Sequence, residues 1–134
     1  MNGSEIKIDD PVVVINIHEQ FPYVQNARDL YECTRGSWRM SPERAGRARY
    51  FFAVYQGVIK EVYEVHECIP TTLETKEYWR RRILSQGKGH IPPAVEEGRA
   101  EFHGQVASDD VRAKYVGRHV PVRLTQNPVR YFNC

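Results

Sequence analysis

The segment from residue 27 to 68 constrains the fold most, because its cap and turn signals divide it into a helix, a polar loop, a short helix and a hairpin. Asn26 is a favourable N-cap for the first helix, and Gly36 stands where a helix commonly ends. Ser41 suits the N-cap of the second helix, and Pro42 suits its first position. An N–H at that position would have no partner within the helix, and proline has no N–H. The sequence therefore predicts two helices in front of a strand pair.

The strand pair is predicted from a run that is apolar on both faces, residues 50–55, as expected for a central strand. Gln56-Gly57 gives a two-residue turn, and glycine accepts a positive φ there. Residues 58–68 continue as the second strand. Their alternation breaks at Val62-Tyr63, which predicts a bulge or bend at that point.

The rest of the chain adds short strands at residues 12–18, 100–106, 120–124 and 129–132, and a helix capped by Ser108. Ala100, Phe102, Gly104 and Val106 are expected to point inward, and Glu101, His103 and Gln105 outward. Residues 69–98 are rich in proline and glycine and predict a surface excursion, helical only within 74–84.

We therefore expect a single domain over residues 1–134 of the α+β class. The predicted architecture is a mostly antiparallel β pseudo-barrel with two or three short helices across its opening.

Composition restricts the location more than the function. An apolar content of 41% and a net charge of +2 are ordinary for a globular protein. Three cysteines without CxxC spacing favour a reducing compartment over a disulfide framework. The longest apolar run is too short to span a bilayer, and the acidic N-terminal residues do not suit a signal peptide. These features predict a cytoplasmic protein without a membrane segment.

The loop between the two helices is predicted to bind a ligand. Trp38 is the one large aromatic residue in a polar stretch, so we expect it to be partly exposed and to stack on the ligand. Arg35 and Arg39 flank it with donors suited to phosphate or a base edge, and Tyr55 is expected nearby. The structural alternative is that Trp38 closes the barrel mouth and the arginines are solvated or paired with Glu32 and Glu43.

Basic residues in the excursion form a second candidate surface. Arg80, Arg81 and Arg82 follow Trp79, and Lys88 lies a few residues further on. Aromatic residues interleaved with positive charge are common in segments that contact nucleic-acid backbones. A solvated helix with pairs between residues four apart explains the same pattern.

Signals for catalysis and for bound metal are weak. Asp109-Asp110 is explained by helix N-terminal electrostatics. His66 and Cys68 share a strand face, but no second ligand pair follows for zinc. No pair of nucleophile and base stands out, so no catalytic residue, cofactor or metal site is predicted.

The element order resembles the PUA-like superfamily, which includes the ASCH, EVE, YTH and SRA domains. More closely, the chain is similar to small bacterial domains with a segment LY-x-x-TRG-x-W-R, a strand ending in AVY-x-G and a closing NP-x-RY-x-N. The matching residues here are Leu30, Tyr31, Thr34, Arg35, Gly36, Trp38, Arg39, Ala53, Val54, Tyr55, Gly57, Asn127, Pro128, Arg130, Tyr131 and Asn133. The resemblance covers roughly residues 27–68 and 99–134, and the chain departs from the EVE and YTH patterns.

This resemblance implies a cleft that binds DNA or RNA, with a modified or flipped nucleotide as the recognised group, and a nuclease-type partner protein in some relatives. Two alternatives remain open. The first is a protein-interaction or regulatory subunit without a nucleic-acid ligand. The second is an enzyme that acts on a small nucleotide-like molecule.

Overall fold

The computed structural model describes residues 6–36, 38–72, 98–120 and 128–134. In chain order the elements are β1 (Val12–Asn16), a 3₁₀ turn (Phe21–Tyr23), α1 (Ala27–Arg35), β2 (Trp38–Arg39), α2 (Pro42–Ala45), β3 (Tyr50–Tyr55), β4 (Val58–Pro70), β5 (Arg99–Val106), α3 (Asp109–Tyr115) and β6 (Val129–Phe132). The predicted helix at 74–84 and most of the predicted strand at 120–124 lie outside the described residues.

The predicted helix starts are confirmed. The Asn26 side chain accepts a hydrogen bond from the backbone N–H of Asp29 at 2.8 Å, and Ser41 accepts one from Arg44 at 3.2 Å. Ser108 caps α3 in the same way. Each cap provides a partner for an N–H that the first turn of a helix leaves free. Gly36 follows α1 in an extended conformation with φ −178°, so the helix ends there without a left-handed glycine.

The strands form one nearly closed sheet in the order β2-β5-β4-β3-β1-β6. Only β1 and β3 pair in parallel, and the other pairs are antiparallel, as the sequence predicts. The two edge strands, β2 and β6, approach each other. The backbone N–H of Ser41, just after β2, donates to the Tyr131 hydroxyl of β6 at 3.2 Å. The α+β pseudo-barrel with short helices is therefore confirmed.

The hairpin turn is confirmed, with φ values of 53° at Gln56 and 79° at Gly57. The predicted bulge at Val62-Tyr63 is wrong. The register shifts instead on either side of that pair, where Lys60 and His66 have no partner opposite them in the ladder. Beside the second shift Gly104 lies opposite Val65, and a Cβ at this position would overlap the Glu64 carbonyl oxygen, so glycine permits the close approach. Each bulge adds local twist and curvature to β4.

Two hydrophobic clusters share the central strands. Phe51, Ala53 and Phe102 belong to the barrel interior, to which α1 and α2 contribute Cys33 and Ala45. On the opposite sheet face, the β3 residues Tyr50, Phe52 and Val54 pack with β1, with Tyr115 of α3 and with the N-terminal residues Ile6 and Ile8. Because β3 is covered on both faces, it can be apolar at every position.

The predicted alternation of β5 is only partly correct. Ala100 and Phe102 are buried as expected, but Val106 is 46% exposed and Glu101 is fully buried. Val106 is exposed although its backbone remains in the ladder opposite Tyr63. Glu101 is buried because it has polar partners on two other segments, and these partners define the first part of the candidate site.

Candidate functional site

Trp38 is part of the core, so the expectation of a partly exposed ring is wrong. The residue is 7% exposed and packs in the interior cluster. Its indole N–H donates to the Thr34 carbonyl at 2.8 Å, and its backbone pairs with Ala100 in β5. A buried tryptophan with a satisfied N–H has no ring face available for a ligand. The structural alternative, in which the ring closes the barrel mouth, describes its position better.

Arg35 belongs to a largely buried group of polar and charged side chains, which we call the interior network and define as Glu32, Arg35, Glu101 and His103. The Arg35 Nε donates to Glu32 Oε1 at 2.9 Å, and Nη1 donates to Glu101 Oε2 at 3.3 Å. The Arg35 side chain is only 11% exposed. The predicted alternative pairing of Arg35 with Glu32 is confirmed. In this arrangement the Arg35 guanidinium is the cationic partner of the Glu32 and Glu101 carboxylates.

Glu101 has four donors around its carboxylate. Oε1 accepts from the backbone N–H and the hydroxyl of Thr72 at 2.7 and 3.2 Å. Oε2 accepts from Arg35 and lies 2.6 Å from Nε2 of His103. Such a set of donors gives both oxygens of this buried carboxylate hydrogen-bond partners. Glu101 therefore connects the end of α1 and the end of β4 to β5.

His103 receives its orientation from Glu101. Because two acceptors cannot meet at 2.6 Å, Nε2 carries a proton, and in the neutral ring the lone pair is on Nδ1. The His103 side chain is 37% exposed. A carboxylate–imidazole pair can move a proton, but the Thr72 hydroxyl beside it already donates to Glu101. The geometry thus fits a structural clamp.

The charges of the interior network stabilise each other. Burial lowers the pKa of Arg35, but its hydrogen bond to Glu32 and the negative charges of Glu32 and Glu101 raise that pKa above its usual value overall. The guanidinium therefore stays charged. Removing it would leave two carboxylates buried without their cation.

The cysteines do not provide a nucleophile. Burial raises the pKa of Cys33 to about 12 and that of Cys68 to about 11. Burial also raises the pKa of Cys134. The thiolate is the reactive form, and at neutral pH all three residues are thiols.

Tyr55 lies far from the other predicted ligand-binding residues. It pairs with Val58 at the hairpin end of β4, whereas Ala100, the partner of Trp38, pairs with Pro70 at the other end. The Tyr55 ring stacks on Phe21 with centroids 4.5 Å apart. One cleft that contains both Trp38 and Tyr55 is therefore not supported by this geometry.

The remaining predicted contact residues have different outcomes. Arg39 is exposed on the edge strand β2. The predicted backbone contacts Arg80, Arg81, Arg82 and Lys88 lie outside the described residues, and they stay predictions.

A second group of arginines lies on the outside of the barrel. Arg44, Arg47 and Arg49 are exposed, and we call them the arginine surface. Glu43 is the one acidic residue between Trp38 and Tyr50 in the sequence. Within the described ranges, no side-chain carboxylate forms an ion pair with any of these three arginines. Their positive charge is therefore available to an external anion.

The arginine surface is held by a tight turn. The backbone N–H of Gly46 donates to the Pro42 carbonyl at 2.8 Å, and that of Arg47 donates to Arg44 at 3.1 Å. A Cβ on Gly46 would lie 2.9 Å from the Pro42 oxygen, so the turn requires glycine. The backbone of Arg49 donates to Pro11 at 2.8 Å, next to β1. These contacts fix the backbone from which the three side chains extend.

Arg44 also contacts the last strand. Its guanidinium carbon lies 4.1 Å from the centre of the Tyr131 ring, and its Nε donates to the backbone oxygen of Cys134 at 3.1 Å. Arg44 and Arg47 both lower the pKa of the Cys134 thiol, against the larger effect of its burial. Two of the arginines therefore lie beside the end of β6.

Comparisons with protein-family models, with curated proteins and with solved structures find no match to this chain. Among the described residues, no three His, Cys, Asp or Glu side chains are placed to hold a metal ion together. In the same part of the chain, no helix has the length and apolar character needed to cross a membrane.

Two of these features have no direct signal in the sequence. Glu101 occupies an outward position in an alternating strand, and its partner Arg35 lies 66 residues away. Tyr131 is part of the NP-x-RY-x-N segment, but nothing in that segment indicates contact with Arg44. The cluster of arginines from 35 to 49 is visible in the sequence, and only its division into buried and exposed members requires the fold.

Proposed function

We propose that this domain binds nucleic acid and that the arginine surface contacts the phosphate backbone. The observation that carries the proposal is the exposed group of Arg44, Arg47 and Arg49 on a fixed backbone, without side-chain carboxylate partners among the described residues. Arginine suits phosphate because its planar guanidinium offers several N–H donors in a fixed geometry.

An exposed cation contributes little to folding, so stability does not explain the cluster. Carboxylates placed between the arginines would cancel the local field, and Glu43 is the single one in the sequence there. A patch of one sign attracts a polyanion over the distance of a Debye length, before any contact forms. Phosphate contacts of this kind position a ligand without reading its sequence.

The proposal includes the PUA-like character of the domain, with the resemblance of the sequence and the pseudo-barrel as its support. It does not use Trp38 as a stacking residue, because that ring is buried. Three free thiols agree with a reducing, cytoplasmic location, which is also part of the proposal.

The test is the salt dependence of binding to a fluorescently labelled oligonucleotide, followed by anisotropy. Each phosphate contact contributes about 0.7 to 0.9 to the slope of log K against log salt concentration. Changing Arg44, Arg47 and Arg49 to Gln should therefore make the slope shallower by about 2 units and weaken binding equally for all sequences.

A matched control removes three positive charges elsewhere on the surface, with Arg28→Gln, Lys60→Gln and Arg118→Gln. Lys60 and Arg118 lie near the hairpin end of the sheet, and Arg28 lies on α1. The control should keep most of the slope. Equal slopes for the two triple variants would place the contact elsewhere, and a parent protein with no salt-dependent binding would favour the protein-interaction alternative.

A further inference from the structure

Both side chains of the Arg44–Tyr131 contact are held by hydrogen bonds. The Tyr131 hydroxyl accepts the N–H of Ser41 at 3.2 Å, and its backbone pairs with Val13 in β1. The Arg44 guanidinium lies 4.1 Å above the ring, and its Nε donates to Cys134 at 3.1 Å. Hydrogen bonds thus restrict both the ring and the guanidinium that covers it.

This arrangement gives a flat, charged surface. Tyr131 is partly buried against the interior cluster, and the guanidinium carbon of Arg44 lies over its ring. Because Arg44 is exposed, part of its guanidinium is open to solvent. A guanidinium plane stacks well on a flat π system, and its position above an aromatic ring keeps it from reorienting freely.

Nucleobases offer such a face only when they are unpaired. In a duplex each base is covered by its neighbours above and below, whereas bases of single strands stack on aromatic rings or on arginine planes. Arg47 and Arg49 extend from the same rigid turn, so phosphates on either side of a stacked base meet positive charge.

We propose that the Arg44–Tyr131 pair stacks on an unpaired base and that the ligand of the arginine surface is a single-stranded nucleic acid. This inference rests on the proposed function and narrows its ligand class. It assigns the stacking role, which the sequence suggested for Trp38, to a different pair on the outside of the barrel.

The first test compares single strands of about 12 nucleotides, of DNA and of RNA, with the corresponding duplexes, within the usual site size of such proteins. The parent protein should bind single strands at least about fivefold more tightly than duplexes, since one base stack contributes about that much or more. Arg44→Lys keeps the charge and removes the plane. It should weaken single-strand binding about 5- to 10-fold and change duplex binding less than about twofold.

Arg118→Lys is the matched control, because it makes the same change at an exposed arginine outside the arginine surface. It should alter binding of single strands less than about twofold. Equal effects of Arg44→Lys and Arg118→Lys, or equal affinity of the parent for single strands and duplexes, would overturn the inference.

A second readout reports stacking directly. An oligonucleotide with the fluorescent base 2-aminopurine should lose emission when that base stacks on the protein. The parent and Arg118→Lys should quench it, whereas Arg44→Lys and Tyr131→Leu should not. Arg44 is exposed, so Arg44→Lys keeps the test valid even when Tyr131→Leu fails to fold.

The two proposals fail in different ways. Absence of salt-dependent binding to any nucleic acid removes the proposed function together with this inference. Salt-dependent binding that is equal for single strands and duplexes, without 2-aminopurine quenching, removes the inference alone.

Discussion

Arg35 and Arg47 belong to the same arginine-rich segment, yet the fold gives them opposite environments. Arg35 lies inside the protein between the carboxylates of Glu32 and Glu101. Arg47 is exposed on a tight turn, without an ion pair to any described carboxylate. The comparison between the interior network and the arginine surface teaches that charge density along a sequence does not distinguish structural from ligand-facing arginines.

The difference has a simple physical origin. A buried cation needs compensating charge, and the interior network provides the carboxylates of Glu32 and Glu101 for Arg35. An exposed cation is solvated by water and can exchange that water for a phosphate. The interior network should therefore determine stability, and the arginine surface should determine binding.

The largest effect is expected from Trp38→Ala, because the ring fills the interior beside the network. Truncation of a buried tryptophan costs about 3–5 kcal/mol of unfolding free energy. Urea denaturation would measure the loss. Where the variant remains folded, its affinity for nucleic acid should stay near that of the parent. Preserved stability with lost binding would mean that the ring contacts ligand after all.

A pair of identical substitutions tests the comparison itself. Arg35→Gln leaves two buried carboxylates without their cation and should cost about 3 kcal/mol of unfolding free energy. Arg47→Gln should change that free energy by less than about 0.5 kcal/mol. For nucleic-acid binding the order should be reversed, with the larger loss of affinity in Arg47→Gln. Similar stability losses for both variants would show that the arginine surface is also structural.

The dependence of stability on alkaline pH tests the protein interior in this comparison. The pKa of the Cys33 thiol is raised by burial to about 12, from about 8.5 in an unfolded chain. Between these values the unfolded chain releases a proton that the folded protein keeps, so stability is complete below pH of about 8.5 and falls as the pH rises. The fall amounts to at most about 1.4 kcal/mol per pH unit from this thiol.

Cys33→Ala should remove that part of the decline in denaturation curves recorded between pH of about 9 and 11. Cys68→Ala is the comparison, because its thiol pKa is raised to about 11. It should remove a similar part of the decline below that pH and less than Cys33→Ala above it. An unchanged slope in Cys33→Ala would contradict the burial of this thiol.

Local signals allowed most of the fold to be predicted. The caps at Asn26, Ser41 and Ser108 and the turn at Gln56-Gly57 depend on neighbours in the sequence, and all of them are confirmed. The double-sided apolar pattern of β3 correctly indicated a central strand. The bulges in β4 were misplaced, because the position of a bulge depends on how the sheet bends and not on the strand alone.

The candidate site was less predictable for the same reason. The polar neighbours of Trp38 indicated exposure, but its ring turns inward and its indole N–H finds the Thr34 carbonyl. Glu101 follows the outward pattern of β5 and is buried by partners that are distant in sequence. Contacts between remote segments decide both cases, and periodicity carries no information about them.

The most direct test of the account is an amide proton–nitrogen correlation spectrum of the labelled protein, titrated with a single-stranded oligonucleotide. The account predicts that shifts concentrate in the turn from Ser41 to Arg49 and at the end of β6, from Tyr131 to Cys134. The interior network should stay unchanged. Shifts centred on Glu101 and His103, or on Tyr55, with none at Arg44 and Arg47, would contradict it.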